Sequence, residues 1–259
     1  MSLVWLDDLR LNAELTGPLT AQPLVLIHGL GLDARVWDRI APGLSRHRVL
    51  RLDLRGHGIS DTPAPPYAIG AMIRDVERLI DHFALKDAVV LGAGEGGLIA
   101  QGLAVKRLDV VRAQVLTGSA TRFANPSVWE TRLGRLRQHG ADLDAECAGL
   151  CGPRWRTSSV LDTVRTMLAT TRLDGWTGFG AAVSTADFYQ TTATLRLPTL
   201  VLAGAEDRKT PPDLQRELAD LVPDATFHLI RGGSHLSMLT DPDGFFDPLH
   251  GFLIRKGHV

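Results

Sequence analysis

Two cysteines, Cys147 and Cys151, are too few to build a disulfide framework in a chain of 259 residues. Charge of one sign is lacking too. The 28 Lys plus Arg and 29 Asp plus Glu are interleaved, which argues against a nucleic-acid-binding surface or a polybasic membrane anchor. No apolar run reaches the roughly 18–20 residues that span a bilayer. The start, Met1 to Asp8, has no basic stretch ahead of an apolar one, so no signal peptide is expected. The histidines show neither H-E-x-x-H nor another metal-type spacing, and neither a metal nor another cofactor is expected. Internal repeats and low-complexity stretches are missing as well. What remains is the expectation of a soluble, reduced, cytoplasmic protein. Its 44% hydrophobic residues suffice for one large core.

The hydrophobic pattern alternates between strand and helix. Short apolar runs at 23–29, 48–54, 87–93, 110–117, 198–203 and 225–230 read as buried strands. Ile69, Met72, Ile73, Val76, Leu79, Ile80 and Phe83 recur at three- and four-residue spacing, one apolar face of a helix. Further helices are expected at 95–106, at 211–222 with Leu214, Leu218 and Leu221 inward, and at 241–256, where Pro248 should kink or divide the helix. Residues 4–14 read as an antiparallel hairpin around Asp7-Asp8. The alternation predicts an α/β fold with a mostly parallel sheet covered on both faces. Residues 119–195 contain no strand-like run. They are expected to form a helical lid with exposed Trp, Arg and Thr, inserted into a core made of 1–118 and 196–259.

The segment Val89-Val90-Leu91-Gly92-Ala93-Gly94-Glu95-Gly96-Gly97 passes from strand through a sharp turn to helix. A G-x-S-x-G nucleophile elbow needs that context, because small flanking residues let a tight turn lift one side chain above the sheet. The central residue here is Gly94, not Ser, Cys or Asp. The same glycines satisfy G-x-G-x-x-G. A dinucleotide fingerprint, however, follows the first strand of its unit and has an acid about twenty residues on, and residues 113–117 form a strand carrying no acid. The partners elsewhere decide between the two. His28-Gly29-Leu30-Gly31 follows a strand, as an oxyanion loop does. Asp207 follows a later strand end, and His235 follows the last strand.

The order of elbow, acid and histidine, together with Asp53-Leu54-Arg55-Gly56-His57-Gly58, resembles the α/β-hydrolase superfamily across nearly the whole chain. Within it, Trp37, Pro153-Arg154-Trp155 and the stretch from Pro198 to Pro212 are most like the oxoadipate enol-lactonase group. The resemblance implies that His235 is the general base, that Asp207 orients it, and that the backbone N–H groups of Leu30 and Glu95 form the oxyanion hole. Gly94 stands where that family places its nucleophile, so no acyl-enzyme can form there. Trp155, Arg154 and Ser119 are candidate substrate-binding residues. Arg154 suits a carboxylate, and Trp129, Trp155, Trp176 and Phe179 suit an apolar wall.

Three readings of Gly94 follow. A water activated by His235 attacks a small ester or lactone directly. Alternatively, the cavity serves a non-catalytic binding protein or a proton-transfer enzyme of the lyase or isomerase kind. Or the glycine was engineered in place of a serine. Glu95 has two readings of its own: a favourable anion in a helix's first turn, or a carboxylate reaching into the cavity.

Overall fold

A computed structural model describes residues 2–155 and 158–257. Strands β1 (Ser2–Leu6), β2 (Leu9–Thr16), β3 (Pro23–Ile27) and β4 (Arg48–Leu52) precede helix α1 (Ile69–His82), β5 (Ala88–Ala93), α2 (Gly96–Lys106) and β6 (Val111–Thr117). Then come helices α3 (Pro126–His139), α4 (Leu143–Cys151), α5 (Ser159–Thr170), α6 (Leu173–Ser184) and α7 (Tyr189–Ala193). The chain closes with β7 (Thr199–Gly204), α8 (Pro212–Asp220), β8 (Ala225–Ile230), α9 (Ser237–Thr240) and α10 (Pro242–Arg255).

The strands form one eight-stranded sheet in the order β1-β2-β4-β3-β5-β6-β7-β8. β1 pairs antiparallel with β2, and β2 with β4, as the hairpin reading requires; every later pairing is parallel. All six residues of β5 and of β7 are buried, because helices cover both faces of the sheet. Their sequences accordingly carry no alternation. The central strands deliver three loops to one edge of the sheet, after β3, β5 and β7, which is where an open parallel sheet places its site.

Three expectations are corrected by packing. Pro248 does not divide the last helix: α10 runs from Pro242 to Arg255 without a break. Phe245, Leu249, Phe252 and Leu253 form a buried stripe across the proline, and that packing outweighs one missing backbone hydrogen bond. In α8, Leu218 is buried but Leu214 is exposed and Leu221 half-buried; Gln215 points inward instead. In the inserted helices, Trp129 and Trp176 are buried, not exposed. The Trp129 indole N–H donates to the Phe123 carbonyl, and the Trp176 ring packs on the backbone of Gly31, where a β-carbon would lie 2.3 Å from it. Among the described residues no helix is long and apolar enough to cross a membrane.

Candidate active site

The turn between β5 and α2 is built by glycines because backbone meets backbone there. A β-carbon on Gly92 would lie 2.6 Å from the Gly97 Cα, and one on Gly96 would lie 2.3 Å from the His28 carbonyl oxygen. Gly94 sits at the apex with φ +55°, its N–H donating to the Thr117 carbonyl at 2.9 Å. An ideal β-carbon on Gly94 would point at the imidazole of His235, 3.2 Å from Nε2.

His235 lies on the loop between β8 and α9 and is only 2% exposed. Its Nδ1 faces the carboxylate of Asp207, at 3.1 Å from Oδ1 and 3.0 Å from Oδ2, so Nε2 is the nitrogen turned toward Gly94. Asp207 is in turn held by its own loop. Oδ1 accepts from the backbone N–H groups of Lys209 (2.9 Å) and Thr210 (2.8 Å), and Oδ2 accepts from Nε2 of Gln215 at 3.1 Å. Gln215 also donates to the Thr210 carbonyl and accepts from the Gly118 N–H at 2.8 Å. Gly118, at φ +57°, lies against the ring of His235, where a β-carbon would come within 3.0 Å of it. One buried amide therefore ties the acid's loop to the wall behind the histidine. The histidine's loop is also fastened to the inserted helices, since Ser234 Oγ donates to the Leu150 carbonyl of α4 at 3.0 Å.

Two further histidines shape the loop after β3. His28 Nε2 accepts from the Leu54 N–H (2.9 Å) while Nδ1 meets the Gly29 carbonyl (2.8 Å). His57 Nε2 accepts from the Gly31 N–H (3.0 Å) while Nδ1 meets the Arg55 carbonyl (3.0 Å). An Nε2 that accepts carries no proton, so both rings are neutral with the proton on Nδ1. Burial keeps them so. It lowers the His28 pKa against nearby carboxylates, and with the neighbouring His28 it pushes His57 down to about 3. Their role is to hold the loop in place.

The Leu30 N–H, expected as an oxyanion donor, does converge on the elbow, but it donates to Glu95 Oε2 at 3.1 Å. Glu95 occupies the N-cap position of α2 without a side-chain capping hydrogen bond to the helix. Glu95 Oε1 lies 3.3 Å from Lys209 Nζ. Burial by itself would raise the carboxyl's pKa; the Lys209 ammonium, with His235 and Arg132 adding to it, more than offsets this and brings it to about 2. Glu95 is thus an ionised carboxylate, 1% exposed, seated against the Leu30 amide and the Lys209 ammonium.

The structure therefore brings together Gly94, Glu95, Leu30, Asp207 and His235. Ser119 is buried beside them: its Oγ has no hydrogen-bond partner among the described residues and would lie 2.1 Å from a β-carbon on Gly97. Trp155 is half-buried in a short helical turn, Pro153–Trp155. Arg154 stays outside the buried cluster, 65% exposed, with Glu206 3.9 Å away. Cavities of about 600, 390 and 290 Å³ open on other parts of the surface, and none is lined by Gly94, Glu95, Asp207 or His235. Sequence reasoning missed Lys209 and Gln215. The signal for Gln215 was available, since residues 215, 218, 219 and 222 share a buried stripe and a glutamine among them has to find partners.

Residues 22–242 match the family model described as alpha/beta hydrolase fold. The 3-oxoadipate enol-lactonase 2 of Acinetobacter baylyi is 27% identical over 247 residues, covering 92% of this chain and 91% of that protein. The magnesium-chelatase 30 kDa subunit of Rhodobacter capsulatus is 31% identical over 257 residues, covering 88% and 86%. Among solved structures, the enol-lactonase from Burkholderia xenovorans LB400 superimposes with a TM-score of 0.93 at 30% identity, covering 98% of this chain and 100% of that one.

Proposed function

The chain belongs to the α/β-hydrolase fold family, and on that footing we propose that it hydrolyses a small ester or lactone with His235 as base and water as nucleophile. Enol-lactonases among its relatives support the substrate class. The observation that carries the reading is the distance from the Gly94 apex to the histidine. An oxygen where a β-carbon would sit lies 3.2 Å from Nε2, within reach for proton transfer. Asp207 accepts from Nδ1, which leaves Nε2 to take the water's proton, and it stabilises the imidazolium that results. Attack on the carbonyl carbon then forms the C–O bond, and the imidazolium returns its proton to the departing alkoxide oxygen. Without a serine no acyl-enzyme intervenes, which favours an already activated carbonyl such as a strained lactone. The reaction so written requires no cofactor.

A second reading, ligand binding or proton transfer without hydrolysis, is favoured by one observation. Glu95 occupies the amide that an oxyanion would need. Incubating small lactones with the wild-type chain and with His235→Ala separates the two. Hydrolysis product that depends on His235 supports the first reading; ligand that binds and is recovered unchanged supports the second.

A further inference from the structure

Glu95 is the least expected charge in the molecule, and its surroundings explain how it is tolerated. A buried carboxylate survives only if donors and a counter-ion replace water. Glu95 has the Leu30 N–H at 3.1 Å and Lys209 Nζ at 3.3 Å. Gly29 leaves the room it needs, since a β-carbon there would lie 3.0 Å from Oε2. This is the composition of an anion-binding site: a backbone amide and one ammonium beside a helix N-terminus. Its occupant happens to be covalently attached.

We infer that Glu95 is an internal stand-in for a ligand carboxylate or a substrate oxygen anion, which takes over the Leu30 amide and Lys209 when the Glu95 side chain turns away. The inference rests on the hydrolytic reading of the site, because that reading requires the Leu30 amide to receive a developing oxyanion.

The grip on Glu95 is uneven, which is what an exchangeable occupant requires. Oε2 is hydrogen-bonded, whereas Oε1 is buried with no hydrogen-bond partner among the described residues and meets Lys209 only as an ion pair. Lys209 is 16% exposed, so its ammonium can keep a solvent contact while its carboxylate partner is exchanged. A tether this short gives Glu95 an effective concentration on the order of millimolar or above, so free carboxylates compete poorly with it in the wild-type chain. The ligand class that fits is a small carboxylate, or a compound whose carbonyl oxygen becomes negative during reaction. A bulky or cationic ligand does not fit.

The test uses formate as the probe, with the full chain as wild type, Glu95→Ala and Glu95→Ala/Lys209→Ala, in thermal unfolding at ionic strength matched with chloride. Formate should raise the melting temperature of Glu95→Ala with the logarithm of its concentration, by roughly 3–5 °C for each tenfold above its dissociation constant. The wild-type chain should respond to formate no more than to chloride, and the double variant should lose most of the gain. Equal responses in wild type and Glu95→Ala, or none in either, would overturn the inference. Glu95→Gln, which keeps the shape without the charge, guards against a folding defect in the alanine variant and should fill the site and give no formate response. Failure of the hydrolytic reading is read separately. A formate response in Glu95→Ala without His235-dependent lactone turnover leaves the anion site standing and removes only the hydrolase.

Discussion

Glu95 Oε2 accepts the Leu30 N–H at 3.1 Å, so the amide that would stabilise an oxyanion already holds an anion. On the proposed reading, two departures from a serine hydrolase coincide within a single turn of chain: Gly94 stands where an attacking oxygen would be, and Glu95 where the charge building on the carbonyl oxygen would be received. Replacing either residue alone leaves the other departure in force.

For this reason Gly94→Ser alone is expected to gain little esterase activity, although its β-carbon would face Nε2 of His235 at 3.2 Å. Gly94→Ser/Glu95→Ala should exceed both single variants toward a p-nitrophenyl ester by about a hundredfold or more, the scale on which a serine contributes alongside an intact histidine. The serine should also destabilise the fold by about 1–3 kcal/mol, since a residue with a β-carbon is strained at φ +55°. Ester assays and denaturant titration of the variants check both parts.

The neutral histidines beside the loop after β3 make stability depend on pH. The His57 pKa is lowered from an ordinary value near 6.5 to about 3, so the unfolded chain binds the proton more tightly than the folded one. The contribution is fully present above about pH 6.5 and is lost as the pH falls toward about 3. His28 is shifted in the same direction. Unfolding free energy should drop by a few kcal/mol across that interval. His57→Gln, whose side-chain oxygen can still accept the Gly31 N–H, should show a visibly shallower fall. An unchanged slope in denaturant titrations between pH 7 and 4 would tell against the assigned tautomer.

Gln215 is expected to matter more than its chemistry suggests. Gln215→Leu leaves the Gly118 N–H and one oxygen of Asp207 without their partner, a loss of about 1–3 kcal/mol in a buried setting. It should also lower His235-dependent turnover, because Gly118 backs the imidazole and Asp207 orients it. A variant equal to wild type in both melting temperature and turnover would remove Gln215 from the site.

How much of this was legible in the sequence differs between the fold and the site. The parallel strands are apolar throughout because both sheet faces are covered, and the glycines at 92, 96 and 97 mark a turn that only glycine can make. Asp207 and His235 follow strand ends, so their chain positions already brought them to one edge. The fate of Glu95 was not legible. Its place at the N-terminus of α2 suits a solvent-facing anion equally well, and the Leu30 N–H and Lys209, brought by loops distant in the chain, draw it inward. The burial of Trp129 and Trp176 was hidden for a similar reason. The inserted helices bury their stripes against one another, α3 on α6 and α4 on α5, and further partners, such as Gly31, come from distant parts of the chain.

The most direct test quenches the wild-type chain during turnover of a small lactone and measures product together with the intact mass of the protein. Water attack on the carbonyl predicts product that accumulates beyond one equivalent, at least about a hundredfold slower in His235→Ala, with the protein mass unchanged throughout. An acyl adduct on the protein, or equal rates in the two chains, would contradict it.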